Sequence, residues 1–176
     1  MLDVGDVYFR LLYDVIKDKE YISLYKNKYM KRKRIIDVIQ MIISISASIL
    51  AVFTFVDNDR FIAYKFICVA VVIASQSFSI VTPKFSYDKL IAELDIAHTR
   101  LEDLYVDIGD TWTEWSEKLI TQDEFIKHKK EYEKRELEII NKCGSPLDFP
   151  FDFDLSEQAK QITKRIVENR FGGTVE

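Results

Sequence analysis

The stretch that decides the fold runs from Lys31 to Lys84: "KRKRIIDVIQMIISISASILAVFTFVDNDRFIAYKFICVAVVIASQSFSIVTPK". Four consecutive basic residues lead into two apolar runs, separated by the polar tetrad Asp57-Asn58-Asp59-Arg60. Ile35 to Val56 is 22 residues long and carries no charge from Val38 onward. As a helix it would extend roughly 33 Å, against a bilayer hydrocarbon core of roughly 30 Å. Phe61 to Thr82 matches it in length, with Lys65 as its one charge. Neither run has the polar face that a helix half-exposed to water needs. A soluble fold would have to wrap both with the remaining residues, many of them charged. The expectation is a pair of transmembrane helices closed by a tight polar hairpin.

Basic residues give the orientation. Lys31, Arg32, Lys33 and Arg34 precede the first run, and Lys84 and Lys89 follow the second, whereas the tetrad between them offers only Arg60 against two aspartates. The positive-inside rule places both termini in the cytosol. The basic run then serves topology and lipid-headgroup contact, and nucleic acid is not an expected partner because the rest of the cytosolic part is acidic. Up to Thr82 the chain has 11 basic and 8 acidic residues; from Pro83 onward it has 14 and 21.

Outside the runs the pattern is helical. With only 5 Gly and 3 Pro there is little turn chemistry, and alternating strand patterns are few. Asp3 and Asp6 suit a helix start, and Tyr8, Leu11, Leu12, Val15, Ile16 and Ile22 recur at helical spacing. That N-terminal amphipathic helix is expected to reach the basic run through Tyr25 and Tyr29. After Thr82-Pro83, a kink or restart, Leu90, Leu94, Ala97, Leu101, Leu104 and Ile108 follow in steps of four and three. This is a heptad seam, either inside one bundle or between subunits; its use as an oligomerisation seam is the sharper expectation.

Gly109 and the following "DTWTEW" are expected to interrupt or end that helix. Thr121 with Glu124 forms a capping box for the next, which Cys143-Gly144-Ser145-Pro146 stops. Asp154 with Glu157 is expected to cap a last helix, closed by Phe171-Gly172-Gly173. The layout is an all-α membrane protein: residues 1–34 form the amphipathic helix and basic flank, 35–82 the hairpin, and 83–176 a cytosolic helical bundle.

No catalytic constellation emerges, so no enzyme activity is expected. His98 and His128 have no neighbouring Cys, Ser or second His in a nucleophile or metal spacing, no glycine-rich phosphate loop opens a helix, and the many carboxylates read as solvated faces. Two cysteines, Cys68 and Cys143, give no disulfide framework and fit a reducing cytosolic face. No cleavable signal peptide, cofactor or metal is expected.

Function is then sought in the polar residues of the runs. Small residues four apart, such as Ser44 and Ser48, Ala70 and Ala74, or Ser75 and Ser79, let helices approach closely. Gln40, Ser44, Ser48, Gln76 and Ser79 are candidates for lining a pore, which two helices cannot enclose without further subunits. Trp112 and Trp115, with Phe149, Phe151 and Phe153 of the acid-aromatic segment "PLDFPFDFDL", are candidates for docking a partner.

The entry "YKNKYMKRKRIIDVIQ", the exit "TPKFSYDKLIAELDIAHTRLEDLY" and the following "TWTEWSEKLITQDEF" together resemble the SLATT family, two-transmembrane effectors associated with nucleotide second-messenger and sensor genes in prokaryotic conflict systems. The likeness is one of layout over most of the chain; "PLDFPFDFDL" and the terminal Phe171-Gly172-Gly173 lie outside it. It implies a homo-oligomeric effector of the inner membrane that permeabilises or disrupts the bilayer in anti-phage defence. The signal is expected from a separate sensor protein or a nucleotide second messenger, as no fused sensor domain is expected from these residues. The alternative is a non-conducting anchor that recruits a cytosolic partner.

Overall fold

The structure, a computed structural model, describes residues 4–54, 62–81, 87–142 and 151–171. Within them the chain is all helical: α1 (Val4–Thr54), α2 (Ile62–Val81), α3 (Tyr87–Ser116), α4 (Gln122–Lys142) and α5 (Phe153–Phe171), with no strand among the described residues. Asp3, the tetrad 57–60, Thr82-Pro83 and residues 143–150 lie outside that set, as do Gly172 and Gly173. Expectations for their turns and caps therefore have no structural counterpart here.

The amphipathic helix and the first apolar run are one element. α1 has 51 residues, roughly 77 Å at helical rise. Nothing in it breaks a helix: it contains no proline, and its only glycine is Gly5. The chain divides into two compact units, the first made of Met1–Asn27 with Ile91–Glu176, the second of Lys28–Leu90.

The first unit holds the core. α1 contributes Tyr8, Leu11, Leu12, Val15, Ile16, Ile22 and Tyr25; α3 contributes Leu94, Ala97, Leu101, Leu104 and Ile108. α4 adds Phe125, Tyr132 and Ile139, and α5 adds Ala159, Thr163 and Val167. α1 and α3 run antiparallel, since partners fall in number along α3 as they rise along α1. Tyr8 bonds to Ile108, Lys19 to Glu102 and Lys26 to Asp95. The seam residues Ala97, Leu101, Leu104 and Ile108 are fully buried within the chain. Of the two expected uses, the seam inside one bundle is the one these helices show: its apolar edge packs against the chain's own helices, with Leu90 part-exposed at its start.

The end of α3 also differs from expectation. The helix passes through Gly109 and stops at Ser116. Lys118 takes a left-handed conformation with φ 63°. Its N–H bonds to the carbonyl of Trp115 at 3.0 Å, and that of Leu119 bonds to Glu114 at 2.8 Å. This is a Schellman closure with lysine where glycine usually sits. Gly109 fails to stop the helix because Trp112 and Thr111 beyond it still have contacts to make. The Trp112 ring lies 5.5 Å from Tyr8, and the Thr111 hydroxyl is 2.7 Å from that of Tyr132.

Two caps settle the later helices. At α4 the Thr121 N–H donates to Glu124 Oε2 at 2.8 Å and the Glu124 N–H to Thr121 Oγ1 at 3.4 Å, the expected capping box. At α5 the capping residue is Asp152 rather than Asp154: its Oδ1 accepts the Leu155 N–H at 3.2 Å. α5 begins at Phe153, so Asp154 is already inside the first turn, where its charge still favours the helix dipole.

In the second unit no described side chain is buried. Among the described residues, no helix is long and apolar enough to cross a membrane. The runs 35–56 and 61–82 both extend into residues outside the described set.

Candidate functional site

The apolar character of the second unit faces outward. On α1, Ile35, Met41, Ile42, Ile45 and Ile49 each expose more than half of their surface, from 52% to 59%. On α2, Phe66, Ile67, Val69 and Ile73 expose 55% to 72%. The less exposed positions of α1 are Ile36, Gln40, Ile43, Ser46 and Ala47, a helical stripe. Soluble monomers rarely show contiguous apolar surface beyond a few hundred Å².

The pore-lining candidates do not share one environment. Gln40 is half-buried, whereas Ser44, Ser48 and Gln76 are exposed. The Ser48 hydroxyl donates to the Ser44 carbonyl at 2.9 Å, which satisfies it within its own helix. Ser79 lies in α2, but its side chain falls outside the described set.

The basic run is not uniform either. Lys31, Arg32 and Arg34 are exposed, while Lys33 is part-buried and paired with Asp88 of α3. That pair lifts the Lys33 ammonium above its ordinary range, chiefly through the hydrogen bond to Asp88. Lys19–Glu102 and Lys26–Asp95 in the first unit have the same seven-residue spacing as Lys33–Asp88 in the second. Lysines on α1 thus face acids on α3 once per heptad, in the flanking positions where coiled coils set register and orientation.

A second feature escaped sequence reasoning. On α1 the seam runs Tyr8, Leu11, Val15, Asp18, Ile22, Tyr25, and Asp18 fills a position that the period assigns to an apolar residue. Beside it on α4 stands Glu136, whose Oε1 is buried and has no hydrogen-bond partner among the described residues. Burial, followed by the charges of Asp18 and Asp14, pushes the Glu136 carboxyl up to about 7; Lys17 acts in the opposite sense. Burial also raises Asp18. The missed signal was a gap in each helix's apolar period, at Asp18 between Val15 and Ile22 and at Glu136 between Tyr132 and Ile139.

The docking candidates separate. Trp112 and Trp115 are half-buried in an aromatic cluster, with Trp115 stacked on Phe125 at 4.8 Å and Phe125 on Tyr8 at 4.3 Å. Both contribute to the packing between α1, α3 and α4. Phe151 and Phe153 are 73% and 67% exposed. The Phe151 ring lies 6.2 Å from Tyr21, and the Tyr21 hydroxyl accepts the Asp152 N–H at 3.1 Å, fixing the start of α5. Phe149 lies outside the described residues.

An open hollow of about 420 Å³ is lined by Tyr8, Phe9, Leu12, Ile108, Gly109, Trp112 and Thr113. The Tyr8 hydroxyl is turned away to the Ile108 carbonyl, and burial raises its phenol so that it stays protonated. His98 is part-buried, and His128 stacks on Tyr132 with ring centres 6.1 Å apart. Among the described residues no three His, Cys, Asp or Glu side chains are grouped to hold a metal ion. Compared with protein-family models, curated proteins and solved structures, the chain matches none.

Proposed function

We propose that this chain is an inner-membrane effector: several copies assemble through 35–82 and permeabilise the bilayer when a cytosolic signal reaches the helical part. The observation that carries the reading is the outward apolar surface of the second unit, with no buried side chain among its described residues. Nine large apolar side chains more than half exposed would be costly in water, at roughly 25 cal/mol per Å². A bilayer and neighbouring copies offset that cost. Because the α3 seam is engaged within the chain, assembly falls to the hairpin, where Ala, Ser and Gln side chains permit close approach.

The trigger in this reading is a separate sensor protein or a nucleotide second messenger, as the SLATT resemblance implies, and both termini face the cytosol. Expression in bacteria with a membrane-potential dye tests it. Depolarisation is expected, and Gln40→Leu with Gln76→Leu should abolish it while leaving the chain in the membrane. A chain that never depolarises cells, even beside its genetic neighbours, would not be a pore former. The second reading, an anchor that recruits a partner, is favoured by the exposed Phe151 and Phe153; it predicts no response to the glutamine substitutions but loss of partner capture on Phe151→Ser and Phe153→Ser.

A further inference from the structure

Resting on that membrane reading, we infer that Lys31, Arg32 and Arg34 form a binding surface for the phosphodiester headgroups of anionic phospholipids, from which Lys33 is excluded. A helix turns about 100° per residue, so Arg34, Lys31 and Arg32 fan over about 160° of one side of α1. Lys33 points to the opposite side, where Asp88 neutralises it. The three remaining bases are exposed, and among the described residues none has an acidic partner.

Their height along the helix suits the role. They span about 5 Å of the axis, and the exposed apolar surface begins at the next residue, Ile35. The ring of Tyr29, with Arg32 above it at 5.6 Å, lies 5.2 Å from that of Tyr87. Paired tyrosines beside bases, at the edge of an apolar surface, are the composition of a membrane–water interface. Three exposed cations beside that edge complement a surface of phosphate monoanions. A nucleic acid would match the charge but not the adjoining apolar belt.

The test uses the full chain, reconstituted into vesicles of equal parts phosphatidylcholine and phosphatidylglycerol and then extracted in mild detergent. The lipids that stay bound are identified by mass. Phosphatidylglycerol is expected to be enriched over the bulk ratio by about fivefold or more, what a single basic contact of about 1 kcal/mol gives. Lys31→Gln, Arg32→Gln and Arg34→Gln together should return the ratio to that of the bulk. Lys33→Gln should leave the enrichment in place, which a merely additive charge effect would not. An unenriched ratio in a chain that does enter vesicles overturns the headgroup surface alone. A chain that enters vesicles of neither lipid overturns the membrane reading with it, and duplex DNA displacing the bound anionic lipid would assign the bases to nucleic acid instead.

Discussion

The Tyr8 phenol donates a hydrogen bond of 2.7 Å to the main-chain carbonyl of Ile108, joining residues a hundred positions apart. Around that bond Tyr8 is only 1% exposed and stacks on Phe125. Removing the hydroxyl alone, in Tyr8→Phe, is expected to cost about 1 kcal/mol, the net worth of one such bond. Tyr8→Ala should cost about 3–5 kcal/mol through loss of the ring. Denaturant unfolding followed by the fluorescence of Trp112 and Trp115, which belong to the same cluster, measures both.

Gly109 and Lys118 stand in each other's natural places. A Cβ at Gly109 meets nothing within 4 Å among the described residues, and the residue is interior to α3. Gly109→Ala should therefore stabilise the chain by about 0.5–1 kcal/mol. Lys118 holds a left-handed backbone, so Lys118→Gly should add about 1 kcal/mol. Because one change acts in the helix and the other in its closing turn, the double variant should show both increments in thermal unfolding.

The Asp18–Glu136 pair makes stability depend on pH. Both carboxyls are raised in the folded chain, Glu136 to about 7, so folding retains a proton that the unfolded chain releases near 4.5. Stability is then highest below about pH 4.5 as far as this group is concerned, falls as the pH climbs to about 7, and levels off above. A fully buried group would contribute about 3 kcal/mol; Glu136 is part-exposed, which reduces the figure to about 1–2 kcal/mol. Glu136→Gln should flatten the profile between pH 5 and pH 8 and leave the variant more stable than the parent at the alkaline end. A parental profile that is flat, or rises with pH, would show that the carboxyl titrates normally.

The lysine–acid ladder sets register more than stability. Reversing one rung, in Lys26→Glu, puts two acids opposite each other and should lower the melting temperature. Adding Asp95→Lys should restore most of the loss, and the remaining pairs Lys19–Glu102 and Lys33–Asp88 should be unaffected. A double variant no better than the single would mean that the rung carries no coupling.

The helices were legible because long apolar periods at 3.5–3.6 residues recur without proline. The seam from Leu94 to Ile108 and the Thr121–Glu124 box were both readable for that reason. What could not be read is which element completes a surface. The seam is satisfied by α1 of the same chain, and the tryptophans by Tyr8 of α1 and Phe125 of α4, contacts between helices that no local pattern announces. Local rules also mislead where tertiary packing outweighs them, as at Gly109, where the helix continues at a cost of about 1 kcal/mol. Acids read as solvated because they were counted by abundance; Asp18 and Glu136 stand out only when each is placed within its helical period.

The most direct measurement is of what surrounds Ile42. With Cys68 and Cys143 replaced by serine, a single cysteine at Ile42 or at Ile96 carries an environment-sensitive fluorophore, and the full chain is reconstituted with lipids brominated along their acyl chains. Both positions are solvent-exposed in the isolated chain, at 56% and 53%. A chain that lies in the membrane through 35–82 gives strong quenching and a blue-shifted emission at position 42, and neither at position 96. Equal, water-like emission at the two sites, unquenched by lipid, would contradict it.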